Sequence, residues 1–327
     1  MTDHAHGLRV MTFNLQLDWD NPPHTWSGRR DVAAELLRRE RPHLIGTQEG
    51  LHGQLRDLES AIGADYAWIG QGRDGGGRGE FMAVLYDRRR LEPLAHGHYW
   101  LSGTPEVIAS NTWGGGWPRM VTWVHFRDLA TGGELHAANT HFDHVSAYAR
   151  ERSGRLLAER LNALAPDLPR IVTGDFNAPA RHDAVHAALL AEADLVDTWD
   201  AAEERSPAYG TFHGHRPPVA GGERIDWILA SRGTRVRSAA VNTFAAGGRF
   251  PSDHLPVQAL VHVPAHAGTH PDDRPHADAT HDGALGPTRR IPPHDVSPYD
   301  APTPRPRMAR RRRPLPDLSA ELRRLER

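Results

Sequence analysis

Residues 170–178 read Arg-Ile-Val-Thr-Gly-Asp-Phe-Asn-Ala. The apolar, β-branched run predicts a short buried strand over Arg170–Thr173. That strand empties into Asp175 and Asn177, which lie two positions apart and so on one side of an extended segment. Alone, the pair reads equally as an Asx turn shaping a loop. It becomes decisive because the pattern recurs along the chain. The run Arg9–Asn14 ends on Asn14, His43–Gln48 runs into Glu49, and Leu135–Thr140 runs into His141. Asp226 lies in Ile225–Leu229, and Asp253 and His254 stand just ahead of Val257–Val263. Polar residues gathered at strand ends are what functional loops on a rigid scaffold produce.

Further strands are predicted over Phe81–Tyr86 and Met120–Phe126, and helices over Ser27–Arg39, Ala147–Leu164 and Ala184–Glu192. Most strands read as buried on both faces or cleanly alternating, which predicts an α/β fold with a mixed sheet pair flanked by helices. No repeat of 20 to 50 residues is visible. The apolar periodicity stops near Val263, so the expected organisation is a catalytic domain over 1–263 and a Pro/His/Arg-rich, disordered low-complexity tail over 264–327. Within that tail, Leu318, Leu322 and Leu325 have the spacing of a short amphipathic helix over 317–327. Six histidines from His262 onward lack regular ligand spacing.

With 327 residues, 39% hydrophobic content and a formal charge of -2, the composition is that of a globular protein. All 39 basic residues are Arg, so Arg abundance by itself says little about phosphate binding. The tail holds 12 Arg against 9 acids and the rest of the chain 27 against 32, leaving the body mildly acidic. This argues against tight duplex-DNA binding, which needs many phosphate contacts. Cysteine is absent, so a metal would be held by Asp, Glu, Asn and His, which favours a hard cation. No apolar run reaches membrane-spanning or secretory length, and a soluble, cytoplasmic protein is expected.

Six motifs occurring in order carry more information than any one of them: Thr-Phe-Asn14-Leu, Thr-Gln-Glu49-Gly, Asn-Thr-His141-Phe-Asp-His, Gly-Asp175-Phe-Asn177, Arg-Ile-Asp226-Trp and Ser-Asp253-His254-Leu-Pro. Over roughly Leu8 to Val263 the chain resembles the endonuclease/exonuclease/phosphatase superfamily. The resemblance implies the four-layer α/β/β/α sandwich of deoxyribonuclease-I type and a metal-dependent phosphoesterase. It also implies Glu49 as the principal ligand of Mg²⁺, or of Mn²⁺ in its place, with Asn14 and Asp253 completing or buttressing the site. Some nuclease members carry an acid where this chain has Gln16, so the resemblance leaves the coordination shell open.

By the same resemblance Asp175 and Asn177 serve the attacking water and a phosphate oxygen, Asp226 orients His254, and His141 is a second histidine on the phosphate, with Glu80 expected to orient it. Arg119 is a candidate clamp for a substrate phosphate. The Gly-rich run 72–79 lacks a P-loop's Lys-Ser/Thr ending and reads as a flexible hairpin connection. The chemistry implied is in-line attack of water on phosphorus in a small phosphodiester, phosphomonoester or single-stranded nucleic acid. The rival reading is a non-catalytic sandwich domain whose tail, especially Arg310–Arg313, docks on an anionic partner; its signature, loss of site groups, is not found in the sequence.

Overall fold

The computed structural model describes residues 7–19, 21–164, 167–263 and 289–290. The chain divides into two units, Met1–Pro293 and His294–Arg327, and every described residue belongs to the first. The expected tail, with its helix over 317–327, therefore lies outside the described residues apart from 289–290.

Two seven-stranded mixed sheets form the body. The first runs in the order β10 (Glu204–Arg205), β12 (Arg235–Val241), β13 (Val257–His262), β1 (Leu8–Asn14), β2 (Leu44–Gln48), β4 (Val84–Asp87), β3 (Tyr66–Ile69). The second runs β14 (Arg289–Arg290), β5 (Leu91–Trp100), β6 (Met120–Asp128), β7 (Glu134–His141), β8 (Arg170–Asp175), β11 (Asp226–Ser231), β9 (Leu195–Asp197). Helices α1 (Trp26–Glu40) and α2 (His52–Ile62) cover the first sheet through Met11, Phe13, Ile45, Leu36 and Leu55. Helices α3 (Ala147–Leu164) and α4 (Ala184–Glu192) cover the second through Val172, Leu229, Leu157 and Leu189. A single turn, α5 (Thr198–Ala201), follows β9. The four-layer sandwich expected from the sequence is the fold.

Strand parity positions the site. In β1, Met11 and Phe13 face the helices while Leu8 and Val10 face the other sheet. Successive residues of a strand alternate faces, so Thr12 and Asn14 share the inner face with Leu8 and Val10. The same count puts Gly46 and Gln48 of β2, Asn139 and His141 of β7, Thr173 and Asp175 of β8, and Asp226 of β11 on the inner faces. Toward one end the space between the sheets therefore changes from apolar to polar. First comes a layer closed on itself: Asn139 donates to the Thr47 and Ala83 carbonyls and accepts from Gln48 Nε2 and Thr173 Oγ1 at 2.7–3.1 Å. A buried amide with all four valences used fixes the offset of the two sheets without a desolvation penalty. Gly46 leaves room for this layer, since a Cβ there would fall 2.0 Å from Thr173 Oγ1 and 2.5 Å from Asn139 Oδ1. One step further toward the rim come Asn14, Asp175, His141 and Asp226.

Candidate active site

The register of the second sheet lines up three of these groups, pairing Asp175 with His141 on one side and with Asp226 on the other. Asn14 reaches across from β1 and donates through Nδ2 to Glu49 Oε1 and Asp175 Oδ2, both at 3.0 Å. Asp175 Oδ1 accepts the Asn177 backbone N–H at 3.0 Å, while His141 Nε2 and His254 Nε2 stand 3.4 and 3.8 Å from Oδ2. His254 Nδ1 meets Asp226 Oδ2 at 2.9 Å. Phe212, half exposed, packs against the His254 ring at 5.1 Å.

Several backbone conformations at this rim are unusual for residues with side chains, among them Gln16 at φ 54° and His215 at φ 62°. Glu49 has φ 62° and Asn177 has φ 49°. Asn tolerates the left-handed region, and Asn177 is held there by donating its Nδ2 to the Phe142 carbonyl at 2.9 Å. Glu49 is held by Asn14 and by the Leu17 N–H, which donates to Oε2 at 2.9 Å. Two hydrogen bonds thus hold Glu49 in a conformation that costs backbone energy, beside a cluster of acids.

Burial and mutual repulsion dominate the electrostatics. Burial pushes the Asp175 carboxyl up to about 7, and Asp226 and Glu49 push the same way against His254 and the Asn177 N–H. Burial opposes charge on His254, but the carboxylates of Asp226, Asp175 and Asp253 hold it well above the ordinary histidine value. His141 goes the other way: burial, then the charges of Arg119 and His254, keep it neutral.

These residues fit a divalent cation. Ligand atoms of Glu49, His141 and Asp175 lie within 4.8 Å of one another, as do those of Asp175, Asp226 and His254. Asp226 Oδ1 is buried and has no hydrogen-bond partner, so the site carries more negative charge than its own donors satisfy. Asp253 is in neither group; its Oδ1 accepts from Ser252 Oγ at 3.3 Å. Asn14 Oδ1 is taken by the Gln16 N–H at 2.9 Å, so Asn14 buttresses the acids through its nitrogen. The Gln16 side chain turns away to His215 Nε2 at 2.8 Å.

One expected pairing is corrected. Glu80 does not orient His141: it forms a two-pronged ion pair with Arg73 at 2.8 and 2.7 Å, and His141 Nδ1 has no hydrogen-bond partner. The cause is the Gly-rich run, which is a structured turn: Arg73 N–H donates to the Glu80 carbonyl and folds the loop back on itself. Arg73 is thus a buried residue beside the site that the sequence does not single out, since the same run also holds Arg78, nearer to Glu80 along the chain. Arg119 is also buried. Its Nη2 pairs with His144 Nδ1 at 3.0 Å, and its Nε stands 3.9 Å from Asp143 Oδ2.

Fold and site together define a four-layer α/β sandwich with an acid and histidine cluster at one rim, the architecture of phosphoester hydrolases. The model of the Endonuclease/Exonuclease/phosphatase family matches residues 11–254. The chain belongs to the endonuclease/exonuclease/phosphatase family, whose members are hydrolytic phosphoesterases. Among solved structures it is similar to a mannosyl-6-phosphatase from Bacteroides thetaiotaomicron, at 32% identity and TM-score 0.73, covering 78% of this chain and 99% of that one. It is likewise similar to a family member from Bacteroides vulgatus at 30% identity and TM-score 0.74, covering 79% and 99%. The human Nocturnin catalytic domain, at 18% identity and TM-score 0.63 over 80% of this chain and 94% of that one, shares the fold. A search of curated protein sequences returns no match. No described helix is long and apolar enough to cross a membrane.

Proposed function

We propose that residues 1–263 form a hydrolase that cleaves a small phosphoester with water, using a divalent cation, Mg²⁺ or Mn²⁺, held at Glu49. The observation that carries this reading is the position of Asp175: buried, in reach of two histidines, and tied through Asn14 to Glu49. Glu49 would supply the cation's principal oxygen ligand, with Asn14 fixing that carboxylate and Asp253 adding negative charge from the same rim. A bound cation would neutralise charge on the non-bridging oxygens.

The remaining work falls to the chain. Asp175 orients the attacking water and takes up its proton, a task suited to a carboxyl whose affinity for protons is raised by burial. His254, held charged by Asp226, donates from Nε2 to a phosphate oxygen, and this bond strengthens as charge accumulates in the transition state. His141, neutral, adds a second donor, and Asn177 is positioned by Phe142 to present its remaining amide hydrogen. The mildly acidic body favours a small ester or a single strand over duplex nucleic acid. The similarity to a mannosyl-6-phosphatase makes sugar phosphates the first class to assay.

Purified chain with Mg²⁺ is incubated with sugar phosphates, nucleotides, single-stranded nucleic acids and phospholipids, alongside Asp175→Asn. The expected result is turnover of at least one class by the wild type and a loss of ~10²–10⁴-fold in the variant, the range of general-base catalysis. Equal release by both proteins on every substrate refutes the role of Asp175.

A further inference from the structure

We infer that Arg29, a residue of α1 outside all six motifs, is a positioning residue of the cation site: it holds the turn that aims the Leu17 N–H at Glu49 and ties that turn to the segment carrying Asp253 and His254. This assignment rests on the proposal that Glu49 holds a divalent cation, and goes beyond it by naming what fixes that carboxylate from outside the acid cluster.

Arg29 is 2% exposed, yet its four hydrogen bonds all end on backbone carbonyls. Its Nε donates to His24 at 2.8 Å, Nη1 to Leu15 and Pro251 at 2.8 and 3.0 Å, and Nη2 to Gln16 at 3.1 Å. Burying a guanidinium is costly, and a carboxylate in ion-pair geometry is the usual compensation. Here the donors are instead distributed over three segments: the approach to α1, the loop leaving β1 and the loop ahead of β13. The rigid, planar set of donors on Arg suits that task, which the single ammonium of Lys does not match.

The loop leaving β1 is where the placement matters. The Leu15 N–H still pairs with β2, donating to the Gln48 carbonyl at 2.9 Å. Gln16 then turns into the left-handed region at φ 54°, a conformation that costs energy for a residue with a side chain. After that turn the Leu17 N–H meets Glu49 Oε2 at 2.9 Å, while Asn14 Nδ2 holds Oε1 at 3.0 Å. Both carboxylate oxygens are thus gripped by the short segment 14–17, and Arg29 grips the two carbonyls in its middle. Gln54 Nε2 also donates to the Gln16 carbonyl at 3.0 Å, but its other bonds are accepted at Oε1 from Leu51 and Asp18. Arg29 alone of the two therefore joins Leu15 to Pro251, which stands two residues ahead of Asp253 and three ahead of His254. Because one atom, Nη1, bonds both carbonyls, it sets the spacing between the Glu49 loop and the His254 loop.

Mn²⁺ binding is measured by titration calorimetry on wild type, Arg29→Lys, Arg29→Met and Leu157→Ala, each with a thermal melt, and exchange of the Leu17 amide is followed by NMR in the metal-free proteins. Both Arg29 variants are expected to bind Mn²⁺ ~10–100-fold more weakly, the range for residues that orient a metal ligand, with Met losing more than Lys. Their Leu17 amide is expected to exchange at least ~10-fold faster, as local opening becomes easier. A purely electrostatic influence predicts the reverse for Arg29→Met, since deleting a positive charge favours a cation. Leu157→Ala truncates a buried residue of α3 under the second sheet and is expected to melt lower with Mn²⁺ affinity and Leu17 exchange unchanged, which separates positioning from general loss of stability. If Arg29→Met does not fold, Arg29→Lys carries the comparison. Tighter or unchanged Mn²⁺ binding in a folded Arg29 variant, an unchanged Leu17 exchange rate, or equal losses in Leu157→Ala overturns the assignment. A wild type that binds no Mn²⁺ refutes the cation at Glu49 itself, and Leu17 exchange then still decides whether Arg29 holds the turn.

Discussion

At the scale of single residues, Asp226 shows how one buried carboxylate is divided between stability and chemistry. Its Oδ2 holds His254 at 2.9 Å while its Oδ1 is buried with no partner. An unpaired buried oxygen costs stability, and the compensation is the charge it keeps on His254. Asp226→Asn is accordingly expected to lower kcat/KM by ~10²–10⁴ while leaving the melting temperature unchanged or higher, since the amide removes a buried charge from a cluster of three. Activity assay beside a thermal melt checks both halves; a variant that melts lower and retains activity within a few-fold reverses the assignment. The residues of this cluster were legible in the sequence because each ends or flanks a strand, where parity and the order of the sheets bring them together. Arg73 was not legible. Its side chain is placed by the fold-back of the 72–79 turn, and the same fold-back takes Glu80 away from the His141 expected to be its partner. Nothing in periodicity reports a turn's closure.

At the scale of elements, the contact between β2 and the β7–β8 pair fixes how far apart the sheets stand at the site. Gly46 is the gauge: a methyl group there would overlap Thr173 Oγ1 and Asn139 Oδ1, side chains whose own hydrogen bonds forbid retreat. Gly46→Ala is expected to destabilise the protein by about 1–3 kcal/mol, the cost of overpacking a rigid interior. The matched control is Gly53→Ala in α2, where an added Cβ meets nothing within 4 Å. There the change is expected to be neutral or to stabilise by up to about 1 kcal/mol through helix propensity and a less mobile unfolded chain. Urea denaturation of the two variants measures the difference; the same sign for both would remove the claim that Asn139 and Gly46 set the sheet spacing. The central strands and the helices α1, α3 and α4 were predicted because their apolar pattern is continuous. Strand β5, flanked on its outer side only by the two-residue β14, was not: Leu91–Trp100 contains Pro93, Gly97, His96 and His98 and is only partly buried along most of its length. Strand β12, reading Arg-Val-Arg-Ser-Ala-Ala-Val and flanked on its outer side only by the two-residue β10, gives a similarly weak signal, and the predicted Phe81–Tyr86 strand becomes regular only at Val84. Edge and bridge segments take their conformation from the neighbour they pair with, which a local pattern does not contain.

At the scale of the whole molecule, burial of histidines links stability to pH. His43 sits beneath the first sheet, accepting the Arg9 N–H at Nδ1, and burial, aided by the charges of Arg9 and Arg90, lowers it from 6.5 to about 4 despite Asp87 and Asp128. His136, stacked on Trp123, is lowered by burial to about 3. Below pH 6.5 the unfolded chain takes up a proton at each of these positions that the folded chain refuses. Their contribution is therefore complete above pH 6.5 and is lost as the pH falls toward 4. Glu80 acts in the opposite direction: burial raises it to about 7, so between its unfolded value and 7 the folded state holds the extra proton and gains stability as the pH falls. Asp175, also raised to about 7, acts in the same sense as Glu80, so the net slope of the wild type sums several opposed effects and a single substitution isolates one of them. His43→Asn keeps an acceptor for the Arg9 N–H and removes the titration. The gap in unfolding free energy between wild type and this variant is expected to shift by about 1.4 kcal/mol per pH unit between roughly pH 6 and 4.5, the variant gaining on the wild type as the pH drops. Urea titrations at pH 7.5, 6.0, 5.25 and 4.5 read that gap directly. A gap that stays constant across the series would mean that His43 takes up its proton in the folded state as readily as in the unfolded one, and that burial of this imidazole does not couple folding to pH.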